Sequence, residues 1–200
     1  MRVCYKGDIG EQERYDAKEP LMELNCGKCK VRSWHPNDVK SIVKHANNRK
    51  VWLNLRDRFP YPYTKADAKN WIRSSLATQP ETNFAIDVFG EAVGGISFDL
   101  KTDVERYSAE VGYWLGEEFW GQGICTLVLK AATPYAIETY HLNRIFAVPF
   151  TQNLASIRVL EKAGYTRECT MRQSAFKDGR FVDEALYAFV IEGWTPKESK

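Results

Sequence analysis

The sequence lacks the features of membrane-spanning and secreted proteins. It has no run of about 18 apolar residues, the length that marks a transmembrane helix, so none is predicted. Residues 1–20 are polar and charged, without the apolar stretch of a signal peptide. Histidine is scarce, at three of 200 residues, and no Ser/His/Asp or Cys/His catalytic arrangement is visible. We therefore expect a cytoplasmic protein.

Cysteine is also sparse and follows no disulfide framework. The count of five is odd, which fits reduced thiols. Cys26 and Cys29 have a spacing seen in metal sites, but no second pair follows, and a closed zinc site needs four ligands. We predict no metal. Instead, residues 21–26 and 29–34 are predicted to form a hairpin joined by Gly27-Lys28.

Charge of one sign is not in excess. The net charge is +2 with both signs interspersed, which argues against a nucleic-acid binder dominated by phosphate contacts, and no membrane partner is expected. A length of 200 residues with 44% apolar content suits one domain with a sizeable core. We predict a polar arm at 1–20, a single domain at 21–192 and a tail at 193–200.

The stretch from Ser108 to Tyr140 organises the chain. Residues 107–115 alternate as a strand, and a glycine-rich turn leads into a helix predicted over 121–140. Pro134 inside the helix is expected to kink it or weaken its hydrogen bonds. An apolar stripe is predicted to face a sheet; its members are Ile124, Leu127, Val128, Ala131 and Tyr135.

The turn Trp120-Gly-Gln-Gly123 is typical of a phosphate site. Glycine permits backbone conformations in which consecutive N–H groups point at one anion, and a helix start adds unpaired donors and a positive dipole end. The turn is neither a Walker loop nor a complete G-x-G-x-x-G motif. A tight strand-to-helix turn without a ligand is the alternative.

A second unit follows. Residues 144–148 are predicted to form a strand, and residues 153–163 a helix that Asn153 caps and Gly164 ends. Together, EVGYWLGEEFWGQGICT and NLASIRVLEKAGY resemble the GNAT acetyltransferase superfamily, in the branch related to ribosomal-protein N-terminal (RimJ/RimL-like) acetyltransferases. The resemblance covers roughly residues 28–192. It implies an α/β (α+β) fold with a mixed, mostly antiparallel sheet of about seven strands and about four helices.

The remaining elements fit that order. A helix is predicted within 36–48, and Thr64 with Asp67 is a capping box for another. Strands are predicted at 84–89 and 92–100 around Gly90-Glu91, and near 165–173 and 181–191 around Asp178-Gly179. Gly94-Gly95 indicates a bulge or a close backbone approach.

The resemblance implies acetyl-CoA as cosubstrate and an amine as acceptor. The pyrophosphate cradle would be Trp120, Gly121, Gln122, Gly123, Ile124, Cys125 and Thr126. Trp120 is common at the first position in this branch, and Cys125 departs mildly from the usual Gly or Ala. The backbone of Tyr113, Trp114 and Leu115 would receive the pantetheine arm as an added strand and could hold the developing oxyanion. Asn153 would contact cofactor, or only cap its helix.

For catalysis, Glu110 is the first choice as general base, directly or through a water, against the alternative of a strand-surface carboxylate. Asp99, Asp103 and Glu105 are weaker candidates. The tyrosine acid of many GNAT enzymes falls at Leu160 here and is missing. Ser156 is the available hydroxyl, as acid or only as a cofactor ligand, and water is the other proton source for the thiolate.

By the same resemblance, the acceptor groove lies between residues 52–63 and roughly 174–182. The acceptor is a protein N-terminus or a small-molecule amine. Two other hypotheses are an inactive CoA-binding sensor or scaffold and an interaction module without cofactor. A homodimer is the default expectation for the assembly.

Overall fold

The computed structural model describes residues 22–196, so the predicted arm at 1–20 and the end of the predicted tail lie outside the described part. The strands are β1 (Glu23–Asn25), β2 (Lys30–Ser33), β3 (Asn83–Val88), β4 (Glu91–Leu100), β5 (Ser108–Leu115), β6 (Arg144–Ala147), β7 (Thr166–Lys177) and β8 (Arg180–Val190). The helices are α1 (Val39–Ala46), α2 (Arg49–Trp52), α3 (Lys65–Ala77), α4 (Ile124–Tyr140) and α5 (Leu154–Lys162).

All eight strands form one mixed sheet in the order β1-β2-β3-β4-β5-β6-β8-β7. Every neighbouring pair is antiparallel except β5 with β6, which are parallel. The predicted α/β class and mostly antiparallel sheet are confirmed, with eight strands rather than about seven. The four-residue α2 was not predicted. No helix of residues 22–196 has the length and apolarity that a membrane span needs.

Helices cover both faces of the sheet and divide the core in two. The larger cluster lies between the sheet and α4 and α5, and includes Val111, Val128 and Leu160. The smaller cluster lies under α1 and α3, and includes Trp34, Ile42 and Ile72. Because side chains alternate along β5, successive residues of this strand point to different clusters.

The hairpin turns follow glycine positions, with one correction. Asp178 and Gly179 both have positive φ, as predicted for a two-residue turn, and Gly27 has φ +81° in the β1–β2 turn. Between β3 and β4 the two central residues are Phe89 and Gly90, not Gly90-Glu91. The shift arises because Phe89 adopts φ +52°, which a sequence pattern does not expect of a phenylalanine.

The helix starts agree with their predicted caps. Thr64 and Asp67 form a reciprocal capping box at α3. The side chain of Asn153 accepts a hydrogen bond from the Ser156 N–H at the start of α5. Gly164 follows α5 with φ +93° and is the predicted C-terminal stop.

Helix α4 begins at Ile124, three residues later than the predicted position 121, because Gly121 and Gly123 have left-handed backbones that a helix cannot include. The buried face of α4 is also rotated relative to the predicted apolar stripe. Its fully buried residues are Ile124, Val128, Leu129, Ala132, Thr133 and Ala136, whereas the other three predicted members are only partly buried. The helix continues past Pro134 to Tyr140.

Strands β5 and β6 separate after a short contact. Their parallel pairing ends at Glu110 opposite Phe146, while β5 stays paired with β4 as far as Leu115. The last five residues of β5 therefore border an opening in the sheet, which we call the splay. On the other side, β4 comes unusually near: a Cβ on Gly94 would lie 2.3 Å from the Trp114 carbonyl oxygen. The predicted close approach is confirmed.

Candidate active site

The glycine turn presents an open, donor-rich surface at the start of α4. Gly121 and Gly123 have φ +73° and +79°, and a Cβ added at either would meet nothing within 4 Å. The first turn of a helix leaves backbone N–H groups without intrahelical partners. The surface beside the two glycines is therefore free for a group that accepts hydrogen bonds, and a phosphate fits it.

Two side chains tie this turn to the residues that precede it. The indole N–H of Trp120 donates to the carbonyl of Leu115, the last residue of β5 (2.8 Å). The Gln122 amide donates to the carbonyl of Glu118 (3.0 Å), in the 3-10 helix Glu117–Phe119 between β5 and the turn. The Trp120 bond therefore holds the turn against the end of β5.

The backbone along the splay is partly unpaired. The Gly116 N–H donates to the Val93 carbonyl of β4 (2.8 Å). Because hydrogen-bonded pairs alternate along an antiparallel ladder, the backbone groups of Trp114 also face β4, whereas those of Tyr113 and Leu115 face the splay. The Leu115 carbonyl is already taken by Trp120, which leaves its N–H and both groups of Tyr113 directed at the opening.

A hydroxyl pair lies beside the splay on the α4–α5 face. The Tyr113 hydroxyl is 2.8 Å from the Ser156 Oγ and also donates to the Ser156 carbonyl (3.2 Å). Burial raises the pKa of Tyr113 well above its usual range. Tyr113 therefore stays protonated and can donate one hydrogen bond and accept another. Asn153, which caps α5, orients the same serine: its side-chain oxygen accepts a hydrogen bond from the Ser156 N–H (3.1 Å).

Cys125 is the departure from the family pattern, and its surroundings make it inert. Burial raises the pKa of this thiol to about 12, so it is neutral at physiological pH. It packs against the larger core cluster as a small apolar side chain. The first turn of α4 keeps its backbone donors regardless of this side chain.

Glu110 is the last residue of β5 that pairs with β6, at the point where the splay begins. Its Oε1 is 3.8 Å from an Arg56 nitrogen and its Oε2 is 3.4 Å from Lys101 Nζ, and its side chain is 30% exposed. Alternation along β5 places Glu110 and Tyr113 on opposite faces. The structure thus places the predicted base and the predicted acid Ser156 on the two sides of the splay.

The weaker base candidates are farther from the opening. Asp99 is paired opposite Glu110 on β4, and its side chain is 57% exposed and bonded to the same Lys101 (3.0 Å). Asp103 and Glu105 are exposed on a short 3-10 helix before β5. None of the three borders the splay.

The sequence analysis missed a second carboxylate near Glu110. Glu184 of β8 has a side chain only 7% exposed; its oxygens accept hydrogen bonds from Arg56 (2.5 Å) and from the Ser174 hydroxyl (2.8 Å). Its neighbours in the alternation, Val182 and Leu186, are apolar. An acid at an inward position of an alternating strand was the signal that could have revealed it.

The two segments predicted to bound the acceptor groove contact each other. Lys177 is buried at the end of β7. Its Nζ donates to the Asp57 carboxylate (2.6 Å) and lies 3.5 Å from the centre of the Trp52 ring. Arg49 bonds both carboxylate oxygens of Asp178. Residues 49–63 are thereby fastened to the β7–β8 hairpin above the face that carries Glu110. Over residues 22–196, no group of three or more potential metal ligands occurs.

The comparisons with known proteins agree with this geometry. Residues 29–166 match the family model described as an acetyltransferase (GNAT) domain. The uncharacterized N-acetyltransferase YoaA of Bacillus subtilis is 35% identical over 100 residues, which are 50% of this chain and 56% of YoaA. The chain therefore aligns with little more than half of that relative's length.

Other matches extend over nearly the whole chain. The [ribosomal protein uS5]-alanine N-acetyltransferase of Escherichia coli is 26% identical over 195 residues, covering 91% of this chain and 97% of the relative. Among solved structures, RimL, a ribosomal L7/L12 alpha-N-protein acetyltransferase in complex with coenzyme A, superposes with a TM-score of 0.75 at 23% identity. That match covers 86% of this chain and 99% of RimL.

The mixed sheet with its splay and the glycine turn at the start of α4 give this chain the fold of these acetyltransferases. The chain belongs to the GNAT acetyltransferase family.

Proposed function

We propose that this protein transfers the acetyl group of acetyl-CoA to the primary amine at a protein N-terminus. The observation that carries the proposal is the placement of Glu110 and the Tyr113–Ser156 hydroxyl pair on opposite sides of the splay, next to the glycine turn. The relatives named as ribosomal-protein acetyltransferases support a peptide acceptor. Such acceptors would place the reaction in the cytoplasm.

Acetyl-CoA supplies an acetyl group activated as a thioester. We assign its pyrophosphate to the backbone N–H groups of the turn and of the first residues of α4, from Gly121 to Thr126. The Tyr113 backbone and the Leu115 N–H, which face the splay, would hold the amide-rich arm in the manner of an added strand. An N–H at this edge also offers hydrogen bonding to an oxyanion.

Glu110 is assigned as the general base. An amine must lose its proton before it can act as a nucleophile, and a carboxylate at the mouth of the splay can take that proton directly or through a water. Lys101 and Arg56 lie within 4 Å of its oxygens.

Ser156 is assigned as the acid for the leaving thiolate. The Tyr113 hydroxyl has one hydrogen, which either the Ser156 carbonyl or the Ser156 Oγ can accept; when the Oγ accepts it, the serine's own hydrogen is free to point into the splay. Ser156 thus takes the role of the tyrosine that Leu160 replaces on α5. Ser156 donates the proton, and Tyr113 orients it from β5.

A small-molecule amine is the alternative acceptor, and a CoA-binding protein without transfer activity is the alternative function. The first test is calorimetric titration of acetyl-CoA, followed by mass spectrometry of peptides with free Ser or Ala N-termini and of small primary amines. Acetylated peptide N-termini would support the proposal. Binding of acetyl-CoA without transfer to any amine would favour the inactive CoA-binding protein, and no binding at millimolar cofactor would refute both.

A further inference from the structure

Arg56 connects two carboxylates that belong to different strands. One guanidinium nitrogen lies 2.5 Å from Glu184 of β8, and another lies 3.8 Å from Glu110 of β5. The guanidinium carbon is also 5.9 Å from the centre of the Phe150 ring, in the segment that continues β6 beyond the splay. Arg56 therefore reaches across the acceptor side of the opening.

The two contacts of Arg56 differ in strength. The contact with Glu184 is short, the Glu184 side chain is buried, and Ser174 donates a second hydrogen bond to the same carboxylate. The contact with Glu110 is longer, and both partners are partly exposed, at 43% and 30%. Partly exposed ion pairs at such distances are weak and exchange readily with other cations. Arg56 is thus anchored at Glu184 and only loosely placed at Glu110.

An acceptor reaches Glu110 as a cation. An alkyl ammonium has the same charge as the guanidinium and needs the same carboxylate. Arg56 projects from the segment of residues 49–63 that covers this face, so its side chain can withdraw without a change in the sheet. Only one of the two cations can occupy the acceptor side of Glu110 at a time.

We propose that Arg56 is a specificity-determining residue of the acceptor site: its guanidinium competes with the acceptor's ammonium for Glu110, and Glu184 is the positioning residue that holds Arg56 in place. The inference rests on the proposed function, because it takes Glu110 as the group that the acceptor amine meets. The site selects acceptors that can displace Arg56, namely primary amines presented as compact cations. It rejects neutral or bulky amines, because these do not displace the guanidinium from Glu110.

The test compares KM for a serine-initiated peptide in Arg56→Lys and in the parent. Lysine keeps a positive charge for the buried Glu184 but has a single ammonium, which cannot contact two carboxylates through separate nitrogens. We expect KM for the peptide to fall about two- to fivefold, the range of a partly exposed ion pair. The dissociation constant for acetyl-CoA should not change.

The role of Glu184 is tested by a double-mutant cycle. Glu184→Gln should lower the peptide KM in the parent background and have no further effect in Arg56→Lys, since it acts through Arg56. Additive effects would overturn its assignment as a positioning residue. Arg73→Lys, an equivalent change at an exposed position of α3, is the matched control and should leave KM unchanged.

The same competition can be measured without turnover. Methylammonium chloride is titrated by NMR into the CoA-bound protein, with sodium chloride at equal ionic strength as reference. Tighter binding to Arg56→Lys than to the parent would support the competition even if no acceptor were ever acetylated. An unchanged or higher peptide KM, or equal methylammonium affinity in the two proteins, would overturn it. Failure of transfer in a protein that shows this difference would refute the proposed function alone.

Discussion

The Tyr113 hydroxyl lies 2.8 Å from the Ser156 hydroxyl, and the bond joins β5 to α5 beside the splay. A second pair resembles it closely: the Tyr165 hydroxyl lies 2.8 Å from the Thr133 hydroxyl, in the buried core. Within residues 22–196 there are thus two pairs of equal length between a tyrosine hydroxyl and a serine or threonine hydroxyl, of which only the first borders the proposed active site.

Tyr113→Phe should lower kcat several-fold, because the phenylalanine no longer orients the Ser156 hydroxyl. Loss of one hydrogen bond should also cost about 1 kcal/mol of unfolding free energy. Tyr165→Phe should show a similar loss of stability and unchanged kcat. Steady-state kinetics and urea denaturation check both variants. Equal kcat values in the two variants would show that the Tyr113 hydroxyl is only structural.

Ser156→Ala tests the acid directly. We expect kcat to fall about tenfold or more, because the leaving thiolate would then have to take its proton from water. Acetyl-CoA affinity, measured by calorimetry, distinguishes the two roles of this serine. A weakened affinity with unchanged kcat would assign Ser156 to cofactor binding alone.

Glu110→Gln should reduce kcat/KM by about 10²- to 10⁴-fold, the usual contribution of a general base, while acetyl-CoA binding is retained. The comparison variant is Asp99→Asn, which removes a carboxylate paired opposite Glu110 and bonded to the same Lys101. Its activity should remain within a few-fold of the parent. A large loss in Asp99→Asn with an active Glu110→Gln would move the base to β4.

Gly123→Trp should abolish binding of acetyl-CoA, since the side chain would enter the open surface at the start of α4 and block its N–H groups. Gly27→Trp is the matched control: Gly27 has nearly the same φ, and open space beside it, in a hairpin turn away from the site. Both variants carry the strain of a side chain at positive φ. Calorimetry should detect cofactor binding in the control only, and binding by Gly123→Trp would contradict the phosphate assignment.

Glu81 gives the fold a pH dependence of a particular sign. Burial raises the pKa of this carboxyl, and its Oε1 accepts no hydrogen bond from the described residues although Oε2 accepts one from Ser33. Because the folded-state pKa lies above the unfolded value, the folded protein binds the proton more tightly. The resulting stabilisation is complete below the unfolded pKa and is lost as the pH rises through the folded pKa.

Glu81→Gln should therefore be more stable than the parent at pH 7, and the advantage should disappear below about pH 4, near the ordinary glutamate pKa. Glu168→Gln should behave in the opposite way. Arg144 lowers the pKa of the Glu168 carboxyl, so its stabilisation is present at neutral pH and is lost on acidification. Urea denaturation at both pH values measures the two variants. A constant stability difference for Glu81→Gln across this range would contradict the effect of burial.

Local signals in the sequence predicted most of the fold. Thr64 with Asp67, Asn153 with Gly164, and Asp178-Gly179 each depend on backbone geometry within a few residues, and all three predictions are confirmed. The start of α4 was predicted three residues too early because the turn residues Gly121-Gln122-Gly123 were included in the helix. Only the backbone angles of its two glycines show where helical hydrogen bonding begins.

The acceptor side of the site could be predicted only in outline. The segments that bound it were named from the family resemblance. The contacts of Arg56 with Glu184 and of Lys177 with Asp57, however, join residues more than a hundred positions apart. No local pattern encodes such pairs. Glu184 was overlooked because an acid within an apolar alternation is easily taken for an outward-facing residue until its burial is known.

The three residue pairs between β5 and β6 also bear on how the domain resists opening. They are the only strand pairing, among the residues described, between the sheet's N-terminal portion, β1–β5, and its C-terminal portion, β6–β8. A ligand bound along the splay would touch both portions and lengthen this short seam. Acetyl-CoA bound there would connect the two portions. The domain would then resist separation of β5 from β6 least without ligand, and would unfold more cooperatively with acetyl-CoA bound.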